Sequence, residues 1–273
     1  VAALTAPRIG GKPSRWTTTT ILGIVGVIFA IPLVSMAEFT LRSTGGGYGF
    51  EHWLALIDPE NERRYRMLWA GIRNSLLLAP STVALMLVLL VPTMILVQLR
   101  FPRLRRLLEL ICLLPITVPA IALVVGLAPV YSVISGVFGS SAWTLAFAYG
   151  ILVLPFAYRA VQSNLQAIDL VTLTEAARTL GASWPTVIIR VIVPALRTGL
   201  LAASVISIAV VLGEYTLASL LNRQNLQTAL VQVSKSDPYT AVILSLLSLL
   251  FAFALLAVIG RVGAGRPQNR TTS

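Results

Sequence analysis

Few residues of this 273-residue chain are equipped for covalent chemistry, and those few are scattered. There is one histidine, His52, and one cysteine, Cys112, so neither a Ser-His-Asp arrangement nor a Cys/His metal cluster is supported. His52, beside Trp53, reads as a solvated interfacial residue rather than a ligand. A phosphate-cradling loop needs Gly, four residues, Gly-Lys and a hydroxyl residue; at Gly11-Lys12, Ala6 replaces the first glycine and Pro13 the hydroxyl. The chain therefore encodes no ATP site, no catalytic residue, no metal site and no cofactor of its own. One electrostatic candidate remains. Glu214, in Gly213-Glu214-Tyr215, lies in an apolar stretch where an acid is costly and marks a candidate functional site. A carboxylate beside the Tyr215 ring suits a cation by charge pairing and cation–π contact, although a structural role, pairing with a basic residue of a neighbouring subunit, fits it equally well.

The elements that hold these residues are set by composition. With 56% hydrophobic residues, 11% charged and a mean hydropathy of +0.85, the apolar side chains exceed what one soluble core can hide, and lipid must take the rest. A spanning helix needs about 20 mainly apolar residues. Six such spans are read, at about 18–39, 72–98, 107–131, 142–162, 194–221 and 239–262. Counted along the fifth helix from Arg197, Glu214 falls about 25 Å in, toward the outer side. The first apolar run, Ile21 to Ala37, exceeds a signal-peptide core and is read as a retained span. Tyr131, Tyr149 and Tyr158 are read as packing or interfacial residues. Gly199, Ala203 and Ser207, with Ala209 and Gly213, put small side chains at four-residue spacing where another backbone could pack.

The net charge of +11 would suit nucleic acid in a soluble domain, but here the basic residues sit mostly in turns on one side, and no nucleic-acid partner is expected. With both termini in the cytoplasm, fourteen of the 21 Lys and Arg fall inside: Arg8, Lys12 and Arg15; Arg100, Arg103, Arg105 and Arg106; Arg159, Arg178, Arg190 and Arg197; and Arg261, Arg266 and Arg270. In the first outer loop Arg42, Arg63, Arg64 and Arg66 are offset by Glu51, Asp58, Glu60 and Glu62. The expected organisation is a disordered cytoplasmic tail over 1–15, a first helix and outer loop over 16–71, a core domain over 72–262 and a cytoplasmic tail over 263–273.

Within that core an inner loop at 162–194 is longer than a helix connection needs. Thr172 with Glu175 three residues on reads as a capping box that opens a short helix. Glu175 meets the positive end of the helix dipole, Ala176 and Ala177 favour helix, and Gly181 can take the left-handed conformation that closes it. Ser183 offers a new N-cap, and Pro185 is tolerated in the first turn of a second helix. Two short helices meeting at a bend on the cytoplasmic face are predicted.

Glu175-Ala176-Ala177, three residues, Gly181, nine residues and then Val191-Ile192-Val193-Pro194 resembles the EAA motif of binding-protein-dependent ABC importer permeases, whose usual ending is Ile-x-Leu-Pro. Asn74-Ser75-Leu76, Leu114-Pro115 and Pro119-Ala120 are similar to the same family, so the resemblance extends over roughly 70–262. It implies an all-α, polytopic membrane protein of MetI-like permease fold, with six transmembrane helices and a cytoplasmic coupling helix, in a bacterial inner membrane. Glu175, Ala176, Ala177 and Gly181 would then contact a separate ATPase dimer, which carries the ATP and magnesium. A second permease subunit, forming a heterodimer with this one, and an extracytoplasmic binding protein are the other implied partners. The stretch Gly213 to Leu221 looks most like spermidine and putrescine permeases, with Glu214 and Tyr215 on the substrate pathway; relatives carry ferric iron, thiamine or phosphonates. An ion-driven secondary transporter would usually show several intramembrane charges, and a membrane enzyme a cluster of polar residues; neither pattern is present.

Overall fold

The computed structural model describes residues 14–43 and 45–264. The tails carrying Arg8, Lys12, Arg266 and Arg270, and the Gly11-Lys12 pair, lie outside the described residues. Everything named here is helical: α1 Arg15–Leu41, α2 Glu51–Ile57, α3 Glu62–Arg100, α4 Arg105–Thr117, α5 Ala120–Phe138 and α6 Ala146–Gln166, then α7 Leu170–Thr179, α8 Trp184–Val187 and α9 Val193–Ala195, and finally α10 Arg197–Gly213, α11 Thr216–Leu220, α12 Leu226–Ser234 and α13 Pro238–Ala264. Four stretches among the described residues are long and apolar enough to cross a bilayer: Arg15–Leu41, Pro59–Arg100, Ala120–Phe138 and Ala142–Gln166. A fifth arises if Trp184–Ala195 and Arg197–Gly213, bent by 73°, form one span. Six unbroken spans are therefore not what the helices present.

Proline chemistry accounts for the differences. The span expected at 107–131 is broken at Val118, because Pro119 pushes the preceding residue out of the helical region, to φ −99° and ψ 125°. The span expected at 194–221 ends instead at Gly213, where Glu214 turns extended. At its start, Pro194 has no N–H and its ring crowds the carbonyl four residues back. The chain answers with a π-turn over Ile188–Ile192, in which Val193 N–H donates to the Ile188 carbonyl five residues behind. The second span begins earlier than expected, since Tyr65 and Leu68 on the outward extension of α3 are buried against α12 and α13.

The larger core centres on α6, which packs against α3, α4 and α10; Tyr149, Tyr158, Val153 and Val161 are all essentially inaccessible there. In α10 Gly199, Ala203 and Ser207 are buried as the spacing requires, whereas Ala209 and Gly213 are exposed. A Cβ on Gly199 would stand 2.6 Å from Asn164 Cβ and 3.1 Å from the Ala160 carbonyl oxygen, so only glycine lets α10 approach α6 this closely. Gly71 does the same for α3 against α12, where a Cβ would meet Ala229 Cβ and the Asn225 carbonyl oxygen at 2.7 Å each. By contrast α1 exposes nearly its whole length and packs mainly against α13 and α2, as a peripheral helix facing lipid does.

Candidate functional site

The inner loop folds as a helix, a tight turn and a second short helix. Its first helix starts three residues earlier than the Thr172–Glu175 box predicts. Asp169 is the N-cap of α7: its carboxylate accepts from Thr172 N–H at 3.1 Å and from the Thr172 hydroxyl at 2.6 Å. An aspartate caps at least as well as a threonine, and starting earlier adds most of a turn of helix. These two bonds hold the Asp169 carboxyl below the usual carboxylate range. At the other end Gly181 N–H donates to the Arg178 carbonyl at 3.0 Å and Ala182 N–H to the Ala177 carbonyl at 3.1 Å. This paired closure is the Schellman arrangement, and it requires the φ of +83° that Gly181 adopts.

The turn is tied to the body of the protein by Trp184. Two guanidinium groups lie over its ring, Arg100 at the C-terminal end of α3 (5.5 Å) and Arg178 on α7 (5.4 Å), while Arg178 also donates to the Ala182 carbonyl at 2.8 Å. Val187 and Ile192 are fully buried, so α8 and the π-turn are anchored in the larger core. Glu175, Ala176 and Gly181 are exposed, and Leu180 is 88% exposed at the tip. Ala177 differs from its neighbours: it is half-buried and packs against the core. An exposed elbow with an acidic and apolar surface thus leads, through a segment anchored in the core and a 73° bend, to the start of α10.

At the other end of α10 the chain makes a second break. Glu214 is buried, 9% exposed, and its two carboxylate oxygens accept from Thr216 N–H and Leu217 N–H at 2.9 Å each. The carboxylate caps α11, and Glu214 does not sit within a spanning helix. Asn225 gathers the surrounding groups: its amide donates to the Glu214 carbonyl at 2.6 Å and to the Tyr149 hydroxyl at 3.0 Å, and its own oxygen accepts from Thr228 N–H at the start of α12. Asn74 and Ser75 complete the junction, the first donating to the Gln224 carbonyl and the second accepting from Leu226 N–H. Tyr215, 41% exposed, looks outward from this junction.

Residues 91–266 match the family model of the binding-protein-dependent transport system inner membrane component. The chain belongs to that family. A probable ABC transporter permease protein, y4fN, of Sinorhizobium fredii is 30% identical over 171 residues, an alignment that takes in 58% of this chain. The chain spans about 30% of the length of that relative. The family is one of transport permeases, a non-catalytic class, which agrees with a sequence that offers no catalytic constellation.

In this permease the sequence-derived residues fall into two groups at opposite ends of α10. Glu175, Ala176, Ala177 and Gly181 are together on the elbow that precedes it; Glu214 and Tyr215 are adjacent at the junction that follows it. Sequence reasoning missed Asp169, Trp184 and Asn225. A signal existed for Asn225, since Asn three residues before Thr228 and just ahead of an apolar run has the spacing of an N-cap. Trp184 carried no local signal, because its partners Arg100 and Arg178 come together only in the folded chain.

Proposed function

We propose that this permease forms half of the translocation pathway of an ATP-binding cassette importer and is driven by a separate ATPase dimer through the elbow of α7 and α8. The observation that carries this reading is mechanical. The exposed Glu175-Ala176 surface and the Gly181 closure lead through α8 and the π-turn, whose Val187 and Ile192 are buried in the core, to a 73° bend at the start of α10, so a push on the elbow is delivered to packed helices rather than absorbed by a loose loop. On this reading Glu175, Ala176 and Gly181 meet the ATPase, and Ala177 relays the contact inward. The chain crosses the bilayer six times, with α4 and α5 as one broken crossing, the bent pair ending in α10 as another, and α13 as the last. Both termini are cytoplasmic, and the other partners are a second permease subunit and an extracytoplasmic binding protein.

The reading is tested in the reconstituted complex. Gly181→Pro or Glu175→Arg is expected to leave the permease inserted and abolish cargo-stimulated ATP hydrolysis; unchanged stimulation in both variants removes the coupling assignment.

For the cargo, the resemblance of Gly213 to Leu221 supports a polyamine, with ferric iron, thiamine and phosphonates carried by relatives. The capping bonds of Glu214 bear on that choice, since both of its oxygens are already engaged. Polyamine uptake by Glu214→Gln, in a strain without other uptake routes, decides it: unchanged kinetics exclude the carboxylate as a cargo ligand.

A further inference from the structure

Arg223 follows α11 in the turn that leads to Asn225, at the outer junction. One of its terminal nitrogens donates to the Ser135 hydroxyl at 2.8 Å, and its Nε is buried with no hydrogen-bond partner. Among the described residues no carboxylate comes within 4.0 Å of it, the ion pairs being Arg42–Glu38 and Arg64–Asp237. A guanidinium carries five donors in a planar fork that matches an oxyanion, and in the half-buried Arg223 only one terminal nitrogen has a protein acceptor. Arg223 also lines a cavity of about 390 Å³, in the size range of small-molecule sites, between the outer part of α3, α11 and α12. Lys235 is on the same cavity, as are Tyr215, Ser219, Asn222 and Gln232; no acidic residue lines it.

We propose that Arg223 and Lys235, with the polar side chains of Tyr215, Ser219, Asn222 and Gln232, form a recognition site for a small soluble oxyanion bearing a phosphate, phosphonate or carboxylate group. The guanidinium supplies the fork, the ammonium a second positive charge, and the neutral groups the orienting hydrogen bonds. A polyamine meets two like charges in this cavity and no counter-charge, so the site favours the phosphonate-type alternative over the polyamine that the Gly213 to Leu221 resemblance supports. As a cargo contact the site rests on the permease reading. Oxyanion binding itself does not depend on that reading, and the two are tested separately.

The full chain is labelled at arginine Nε with ¹⁵N in phosphate-free maltoside micelles, and the Arg223 resonance is identified by its loss in Arg223→Lys. Titration with methylphosphonate is expected to give a saturable shift of that resonance, absent with sodium chloride at matched ionic strength and with spermidine. The affinity is expected to fall about tenfold or more in Lys235→Gln, a substitution at an exposed side chain. A flat titration, a saturable response to spermidine, or a response seen only on transfer to phosphatidylglycerol nanodiscs, which would make the ligand a lipid headgroup, overturns the proposal. A flat titration leaves the coupling reading intact, and normal ATPase stimulation in Gly181→Pro leaves this site intact.

Discussion

The side-chain amide of Asn225 donates to the main-chain carbonyl of Glu214 at 2.6 Å, joining the end of α10 to the start of α12. With Tyr149 as its second acceptor, Asn225 also ties both to α6. Asn225→Ala leaves the Glu214 carbonyl only the long bond from the Tyr149 hydroxyl, at 3.5 Å, and strands the Thr228 N–H, and an unmade buried hydrogen bond costs about 1–3 kcal/mol. A clear fall in the thermal unfolding midpoint is expected in nanodiscs. Glu214→Gln is expected to lower it as well, because an amide cannot accept from both Thr216 and Leu217 N–H as the carboxylate does. A midpoint unchanged in both variants contradicts the junction described.

Gly199 is the point of closest approach between α10 and α6. Gly199→Ala drives a methyl to 2.6 Å from Asn164 Cβ, and relieving the overlap by helix displacement costs about 1–3 kcal/mol. Gly71→Ala faces a backbone oxygen at 2.7 Å and is expected to cost a similar amount. Gly213→Ala, with nothing within 4 Å of the added carbon, serves as the control and is expected to be near neutral. Thermal midpoints of the three variants make the check; equal effects at all three positions would mean that helix spacing is not set by glycine here.

Much of this packing was legible in the sequence, though unevenly. The repeat of Gly199, Ala203 and Ser207 announced a buried helix face, and Gly181 announced a left-handed closure, because both depend on residue type at fixed local spacing. The breaks at Val118 and Glu214 were harder to see. Pro119 and Pro194 are visible in the sequence, but proline in an apolar helix can kink, break or widen it, and neighbouring elements decide which. The expected role of Glu214 as an intramembrane charge assumed that the helix continued past Gly213. Once it stops there, the same carboxylate becomes the cap of the next helix. The Arg100–Trp184–Arg178 stack and the Arg223–Ser135 bond join residues 84, 6 and 88 positions apart and could not be read from periodicity.

Acid should loosen the inner elbow. The Asp169 carboxyl is held below its usual range by the Thr172 hydroxyl and then by the Thr172 N–H. A carboxylate depressed in the folded state stabilises above its unfolded value, about 3.9, and loses that contribution as pH falls from there through the folded value. The first turn of α7 is therefore fully capped at neutral pH and frays only on stronger acidification. The Thr172 amide resonance is expected to titrate in that acid window, and Asp169→Asn, which keeps an acceptor but cannot titrate, is expected to abolish the step. The same step persisting in Asp169→Asn would assign it to another group.

The central claim, that the α7–α8 elbow is gripped by an ATPase, is tested most directly by site-specific crosslinking in the intact transporter. Cys112, the chain's single cysteine, is buried at 2% exposure, so a cysteine added at an exposed position reports alone. Glu175→Cys and Ala176→Cys are expected to crosslink to the ATPase subunit, with yields that change between nucleotide-free and ATP-bound states, while Ser234→Cys on α12, at the opposite end of α10, gives no such product. No crosslink from either elbow position, in a complex shown to be assembled and hydrolysing ATP, would contradict the account.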